Sequence, residues 1–492
     1  MSRWNLCWLI GIAAAAVLGI SITYSSPPAQ TKKHQNVKLL VDVLEEVQKK
    51  YVRELDQNKM RELVENMING GLEKLDPHSG FVGADDYKQF RQSSRGKFGG
   101  VGIRLGLDPR TGQFLVESPI AGTPAYEAGV LAGDLILKVD GKSLENWSLK
   151  KLVEHIQGDP GTAVTLTVLH EGEKKPVDLK MNRAEIKIES VMGDHRDKVD
   201  LKKWDFWLDP DTRIGYVRIT AFTETTVDEL TRVVDALTKA GMRGLVVDLR
   251  TNPGGLLRAA VDVASMFLPD GEKIVSTKGR GNDDQDVFNA KLKNPARPGT
   301  GYPMAILLNR YSASASEIVA AALQDHGRAV IVGERSYGKG SVQNLIEMED
   351  GTTALKLTTA SYWRPSGRNI HRFPDSKEKD DWGVKPDKGY EVKLTDEERN
   401  AFFKWRRERD ILRRPRGDVK QVKGEKEFRD KVRDRAVEYI RAELAKRAKK
   451  GAQAVPAGPR APVAQADPRP ALPSRQRVIA EVADRSYRNI AR

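Results

Sequence analysis

Met304-Ala305-Ile306-Leu307-Leu308-Asn309-Arg310-Tyr311-Ser312-Ala313-Ser314-Ala315-Ser316-Glu317 is the stretch on which the fold turns: five apolar residues, a polar turn, then an apolar segment running to Gln324. The run has strand length, and the residues after it have helical length and pattern. A serine held at such a strand-to-helix turn exposes its hydroxyl beside the unpaired N–H groups of the helix start, which can stabilise an oxyanion. The same three serines, Ser312, Ser314 and Ser316, are equally the residues that cap helices. The segment alone leaves both readings open.

Working outward, the pattern repeats. Strands are expected at Ile214 to Ile219, Gly244 to Leu249, Met304 to Leu308 and Ala329 to Val332, with helices at Val227 to Lys239, Leu256 to Phe267 and Ala315 to Gln324. Strands and helices in strict turn imply an α/β domain with substantial parallel pairing. Its functional residues then belong where strands end and helices begin.

Two further strand ends carry unusual residues. Gly333-Glu334-Arg335-Ser336-Tyr337-Gly338-Lys339-Gly340-Ser341 places a lysine between glycines on a turn. Such a lysine, if desolvated, loses enough proton affinity to act as a base. The segment nearly spells a phosphate-binding loop, but Gly340 stands where Ser or Thr is required and Val342 to Met348 reads as a strand rather than a helix. Arg250-Thr251-Asn252-Pro253-Gly254-Gly255 is a glycine turn opening another helix. By itself it is only a turn signal; beside Ser314, its N–H groups would pair with that of Ala315 as an oxyanion hole.

Histidine is a weaker candidate for the base. His326 lies twelve residues beyond Ser314 on the same helix, roughly 18 Å away at the helical rise. His371 and His78 remain open, each more commonly a surface or core histidine. No compact metal-ligand set appears, so no metal or other cofactor is expected. The only cysteine, Cys7, excludes an intrachain disulfide, a multi-cysteine zinc site and, in practice, a cysteine nucleophile.

The 492 residues exceed one ordinary core. Arg3 followed by an apolar run from Trp4 to Ile22 reads as an export signal long enough to remain as an anchor. Helical spacing from Val37 to Tyr51 and from Met60 to Ile68 opens the mature chain. From about Gly96 to Arg183 short β-rich runs alternate with turn signals and two short helices, a small, mostly antiparallel domain. Lys and Arg outnumber Asp and Glu by 82 to 68, and much of the +14 excess lies beyond residue 400. That basic stretch reads as a solvated helix face or a disordered arm, and the Ala/Pro-rich tail from Gly451 to Ser474 as disordered.

Taken together, Asp248 to Gly255, Ser312 to Glu317 and Gly338 to Gln343 resemble the carboxyl-terminal processing peptidases, or tail-specific proteases. The resemblance covers roughly residues 35 to 395. It extends to Leu75-Asp76-Pro77-His78-Ser79-Gly80-Phe81, to Gly99-Gly100-Val101-Gly102-Ile103, to Tyr362 to Ile370, and to Gly383 to Asp387. The stretch His371 to Trp382 is longer than the family's usual loop.

The resemblance implies a serine endopeptidase with Ser314 as nucleophile, Lys339 as general base and Gln343 orienting the lysine. It implies oxyanion donors at Ala315 and Gly254, with Gly255 the alternative to Gly254. Gly99 to Ile103 would be the carboxylate-binding loop of a PDZ domain that binds substrate tails. Apart from the resemblance, that module is also expected to gate the site, since a secreted protease with no visible pro-segment needs some control. The implied fold is an α/β (α+β) protease core of crotonase-like ββα type with an inserted PDZ domain, a small β-rich sandwich or barrel with two helices. The expected division is 1–30 signal peptide or anchor, 31–95 helical region, 96–185 PDZ domain, 186–395 protease core, 396–450 basic helical extension and 451–492 disordered tail.

The expected location is extracytoplasmic or periplasmic, on exported or membrane-associated proteins with apolar C-termini. Further partner classes are the membrane through the N-terminal segment, an activator or adaptor protein, and a second copy of the chain; nucleic acid is not expected. The rival reading is a PDZ-bearing peptide-binding scaffold with a silent or activator-dependent core.

Overall fold

The computed structural model describes residues 30–197, 199–281, 284–291, 301–412 and 428–453. The apolar N-terminal segment and the tail beyond 453 lie outside them. Among the described residues no helix is long and apolar enough to cross a membrane. Residues up to Leu444 form one unit and those from Ala445 a second.

The N-terminal part comprises α1 (Gln30–Lys50), α2 (Gln57–Glu73), β1 (Gly80–Val82) and α3 (Ala84–Arg95). Next come β2 (Lys97–Gly100), β3 (Ile103–Leu107), β4 (Phe114–Pro119), α4 (Pro124–Ala128), β5 (Leu135–Val139), β6 (Lys142–Ser143), α5 (Leu149–Ile156), β7 (Ala163–Leu169), β8 (Val177–Asn182) and β9 (Ala184–Lys187). Strands β3-β4-β5-β7-β8 pair antiparallel in that order. Along β7 the burial alternates, so Val164, Leu166 and Val168 reach a core that Leu152 and Ile156 of α5 close from the helix side. This is the period-two signature of a half-buried sheet.

The α/β core holds β10 (Val191–Met192), a short ribbon of β11 (His195–Arg196) and β12 (Trp204–Asp205), β13 (Trp207–Asp209), β14 (Ile214–Ile219), α6 (Thr226–Lys239), β15 (Gly244–Asp248), α7 (Leu257–Ser265), β16 (Lys273–Lys278), β17 (Asp284–Asn289), β18 (Met304–Leu308), α8 (Ala315–Asp325), β19 (Val330–Gly333), β20 (Ser341–Met348) and β21 (Thr353–Trp363). Strands β14, β15, β18 and β19 run parallel in that order. The core also carries an antiparallel sheet, β1-β21-β16-β17 with β20 on β21.

The parallel strands are buried on both faces, which explains why they read as unbroken apolar runs. Val217, Val247 and Ile306 face α6, α7 and α8, with Leu230, Ala260 and Ile318 among the residues packed there. Tyr216, Val246 and Leu307 face the other way, and what covers them is Val432, Ala436 and Ile440. Those residues belong to α10 (Lys431–Gln453), which follows α9 (Asp396–Asp410). A Cβ on Gly244 of β15 would stand 2.3 Å from Ile440, so the helix lies directly on the sheet.

One face of α9 therefore departs from the expected solvated face, whereas residues 441–449 of α10 are largely exposed. Arg399, Phe402, Arg406 and Asp410 of α9 are buried. Their charges are matched by Glu334, Asp194 and Arg218. Its arginines could not be told from a solvent-facing run because their partners lie some 65 to 215 residues away in sequence.

Candidate active site

Register brings three turns to one sheet edge. Asp248 lies opposite Leu307, and Leu308 opposite Gly333, so β15, β18 and β19 end level. The turns beginning at Arg250, Asn309 and Glu334 therefore converge, at the carboxyl ends of parallel strands where α/β sheets build their sites.

The hydroxyls of the three serines separate here. Ser312 is fully buried and donates to the carbonyl of Leu249 at 2.8 Å. Ser316, also fully buried, donates to the carbonyl of Asn252 at 3.0 Å. Both stitch the Ser314 turn to the glycine turn, as does the Ala313 N–H on the same Asn252 carbonyl at 3.0 Å. Ser314 alone stays partly exposed. It sits at φ 57°, ψ −114°, a conformation that costs an L-residue of order 1–3 kcal/mol and persists only where the surroundings impose it.

What imposes it is Glu317. This carboxylate is fully buried in the first turn of α8, yet it accepts the N–H of Ser314 (2.8 Å), the N–H of Gly338 (2.6 Å), the N–H of Lys339 (2.8 Å) and the hydroxyl of Ser336 (2.5 Å). Burial pushes its pKa above the usual carboxylate range, and the four donors pull against that. Four donors and no acceptor suit the ionised form. Tyr337 adds a further tie, donating its N–H to the carbonyl of Ser312 at 2.9 Å.

Lys339 is partly buried beside this carboxylate. Burial, with the charge of Lys356 behind it, holds its proton affinity below that of a free lysine, and Glu317 opposes the shift. Among the described residues no hydrogen bond joins its Nζ to Ser314 Oγ. Over the lysine turn, the His371–Trp382 loop closes: Arg372 donates its N–H to the Gly338 carbonyl at 2.8 Å. The guanidinium groups of Arg335 and Arg372 both pack on the Trp382 ring, 3.4 Å and 4.4 Å from its centre. His78 and His371 are both held below the ordinary histidine range, burial being the main cause in each. Lys339 adds to the effect at His78.

Gln343, expected to orient the lysine, donates its amide to Ser341 Oγ at 2.8 Å and Thr358 Oγ1 at 3.2 Å. Thr358 in turn donates to Asp76, so the Leu75–Phe81 segment is tied to the same strands.

On the glycine turn, Gly254 (φ +105°) packs so close to Ser314 that a Cβ would come within 2.8 Å of that residue's Cβ. Its N–H is taken by the Asn252 side chain at 2.8 Å. Gly255 (φ +142°) has no room for a side chain, since a Cβ would stand 2.1 Å from the Phe222 carbonyl. No partner takes the Gly255 N–H among the described residues, and the Ala315 N–H, at the first helical position, is one of the donors a helix leaves over. Of the two glycines, Gly255 is thus the one whose donor faces no internal acceptor.

The expected carboxylate loop lies elsewhere, at the edge of the small domain. Gly99 and Gly100 pair with Glu185 and Ala184 of β9. Val101 is buried and accepts the Ala125 N–H at 2.9 Å, and Gly102 turns at φ +82° against Thr123 before Ile103 opens β3.

Glu317, Asn252 and Asn309 are the residues the sequence reading passed over. Asn309 accepts the N–H of Thr251 at 2.9 Å and so joins the same two turns. Glu317 carried a signal: three residues after Ser314, it stands at the acidic position of a capping box.

These turns, on a mixed α/β core with an appended antiparallel domain, define a peptidase fold with a PDZ domain. Residues 213–388 match Peptidase family S41 and residues 115–169 match the PDZ domain. The chain is 39% identical over 452 residues to the carboxy-terminal-processing protease of Bartonella bacilliformis, covering 86% of this chain and 96% of that one. It is 32% identical over 369 residues to the carboxy-terminal processing protease CtpA of Bacillus subtilis, covering 74% of each. A solved structure, the photosystem II D1 C-terminal processing protease, aligns at 28% identity and TM-score 0.39 over 71% of this chain and 86% of that one. The chain belongs to the carboxy-terminal processing protease family, and it is a serine-type endopeptidase.

Proposed function

We propose that the enzyme cleaves exported or membrane-associated proteins near their C-termini through an acyl-enzyme on Ser314, with neutral Lys339 as general base. Lys339 takes the Ser314 proton as the oxygen attacks the peptide carbonyl, then returns it to the leaving amine; water, deprotonated in the same way, releases the acyl group. The Ala315 N–H and one glycine N–H, Gly254 or Gly255, receive the oxyanion. Gln343 orients the lysine. The observation that carries this reading is the shared Glu317 carboxylate, which holds the backbones of Ser314 and Lys339 on one oxygen.

The PDZ module, within 96–185, takes the substrate's apolar tail at Gly99 to Ile103, beside the edge strand β3, and gates access to the core at 186–395. That core is of crotonase-like type. The N-terminal segment directs export to the extracytoplasmic side, as a signal peptide or as a membrane anchor. The test is cleavage of a protein with an apolar C-terminal tail by the wild type, Ser314→Ala and Lys339→Ala. Loss in both variants with folding intact is expected; turnover retained by either one overturns the assignment.

A second reading, a core that waits for an activator or adaptor protein or for self-association, is favoured by one observation: the Gly254 N–H is satisfied by Asn252 rather than offered to a substrate. Tail binding without cleavage by the wild type alone, with cleavage restored by a partner, would establish it.

A further inference from the structure

Arg250 stands between the end of β15 and the glycine turn, and its guanidinium is enclosed on every side, with the residue 6% exposed. Two carboxylates divide it. Asp248 accepts Nε through both oxygens at 3.0 Å and Nη2 at 2.6 Å. Asp430, 180 residues further along the chain, accepts Nη1 at 2.9 Å and Nη2 at 2.8 Å. Phe402 of α9 closes one face at 4.4 Å. A guanidinium fork bonded on both sides has its direction fixed, as a lysine ammonium would not.

Asp430 is itself rigidly placed. It is 1% exposed, it precedes the first residue of α10, and its Oδ1 also accepts the Arg433 N–H at 3.1 Å. The helix it caps is pinned to the parallel sheet by Val432, Ala436 and Ile440. Burial works against its charge, and Arg250 still keeps its carboxyl below the usual range.

The turn that follows Arg250 needs such an anchor. Thr251 is at φ +63°, and Gly254 and Gly255 are at +105° and +142°, a run that the chain does not hold unaided. From the Ser314 side it is tied through the Asn252 carbonyl and by Asn309 to Thr251; from the opposite side Asn252 Nδ2 donates to the Ile219 carbonyl at 2.8 Å and the Phe222 N–H donates to the Gly254 carbonyl at 2.9 Å, while the start of the turn is gripped by the Arg250 fork. We propose that Asp430 is a positioning residue for peptide hydrolysis: through the Arg250 fork it holds the 250–255 turn in register with Ser314 and so sets where the oxyanion donors point. The inference rests on the reading of Ser314 and this turn as the reacting pair. It makes the C-terminal extension a component of the catalytic core rather than an appendage.

The test uses the full chain, steady-state hydrolysis of a tailed peptide, and the rate at which a fluorophosphonate labels the enzyme. Asp430→Asn keeps the shape and removes the charge. Its kcat and labelling rate should fall together by at least about tenfold with KM within about twofold, because the oxyanion donors serve the transition state rather than binding. Asp430→Glu, which restores the carboxylate, should recover part of both. Glu398→Gln, which weakens the exposed Lys431–Glu398 pair holding the same helix start, should leave kcat within about twofold.

An Asp430→Asn enzyme with unchanged kcat, or a Glu398→Gln enzyme equally impaired, overturns the proposal; the second result would mean general loosening. Should Asp430→Asn not fold, Arg250→Lys keeps the buried charge and loses the fork, and unchanged kcat there overturns it as well. Wild-type labelling that survives Ser314→Ala would instead sink the underlying assignment, which keeps the two failures apart.

Discussion

Glu317 Oε2 accepts the backbone N–H of Ser314 and that of Lys339, each at 2.8 Å. Two turns separated by a helix and a strand thus share one acceptor atom, and their relative position is set by a group that need not touch substrate.

Replacing that carboxylate tests the arrangement most directly. Glu317→Gln brings an amide donor into a pocket lined with donors, leaving at least one buried N–H unpaired. Stability should fall by about 3 kcal/mol, and kcat by at least about tenfold as the turns drift apart. Chemical denaturation and peptide hydrolysis read the two effects; an unchanged kcat would show that Glu317 serves folding only.

Backbone strain at Ser314 predicts an order of stabilities. Both Ser314→Ala and Ser314→Gly remove the hydroxyl, but only glycine adopts φ 57°, ψ −114° without penalty. Ser314→Gly should be the more stable of the two inactive variants by about 1 kcal/mol. Equal unfolding midpoints would mean that the strain is not borne at this residue.

Lys339 predicts the pH profile. It acts as a base only when neutral, and burial with the Lys356 charge lowers the pH at which it loses its proton. Activity should rise with pH through that lowered value. Lys356→Met removes a repulsive charge, so the proton is held to higher pH and the rising limb of kcat/KM moves upward, with lower activity at pH 7. A limb that stays put, or moves down, contradicts the electrostatic account.

Steric exclusion at the glycine turn gives the fourth expectation. Gly255→Ala places a Cβ 2.1 Å from the Phe222 carbonyl and forces the turn open. Activity should fall by about a hundredfold or more, with a lower melting temperature. A variant that retains wild-type hydrolysis would exclude this turn from the oxyanion site.

Local chemistry made much of this legible. The parallel strands read as continuous apolar runs because helices cover both faces, and β7 reads as an alternation because only one face of its sheet is covered. Gly254, Gly255 and Gly338 marked the strand ends, since a turn at positive φ leaves glycines in the sequence. The placement of Gln343 beside Thr358 was not legible, because that hydroxyl reaches it across a strand pair whose register bulges at that point.

The sequence by itself determined the strand-turn-helix periodicity, the candidate serine and lysine, and the kinship that joins them, because each depends on residues within a few positions of one another. Only the tertiary structure decided which serine hydroxyls are spent on the neighbouring turn, which carboxylate both turns share, and that α10 closes the sheet. Those outcomes rest on hydrogen bonds and ion pairs between residues 19 to 215 apart in the chain. Such contacts exist only once hydrophobic burial has brought the strand ends level, and no local pattern encodes them.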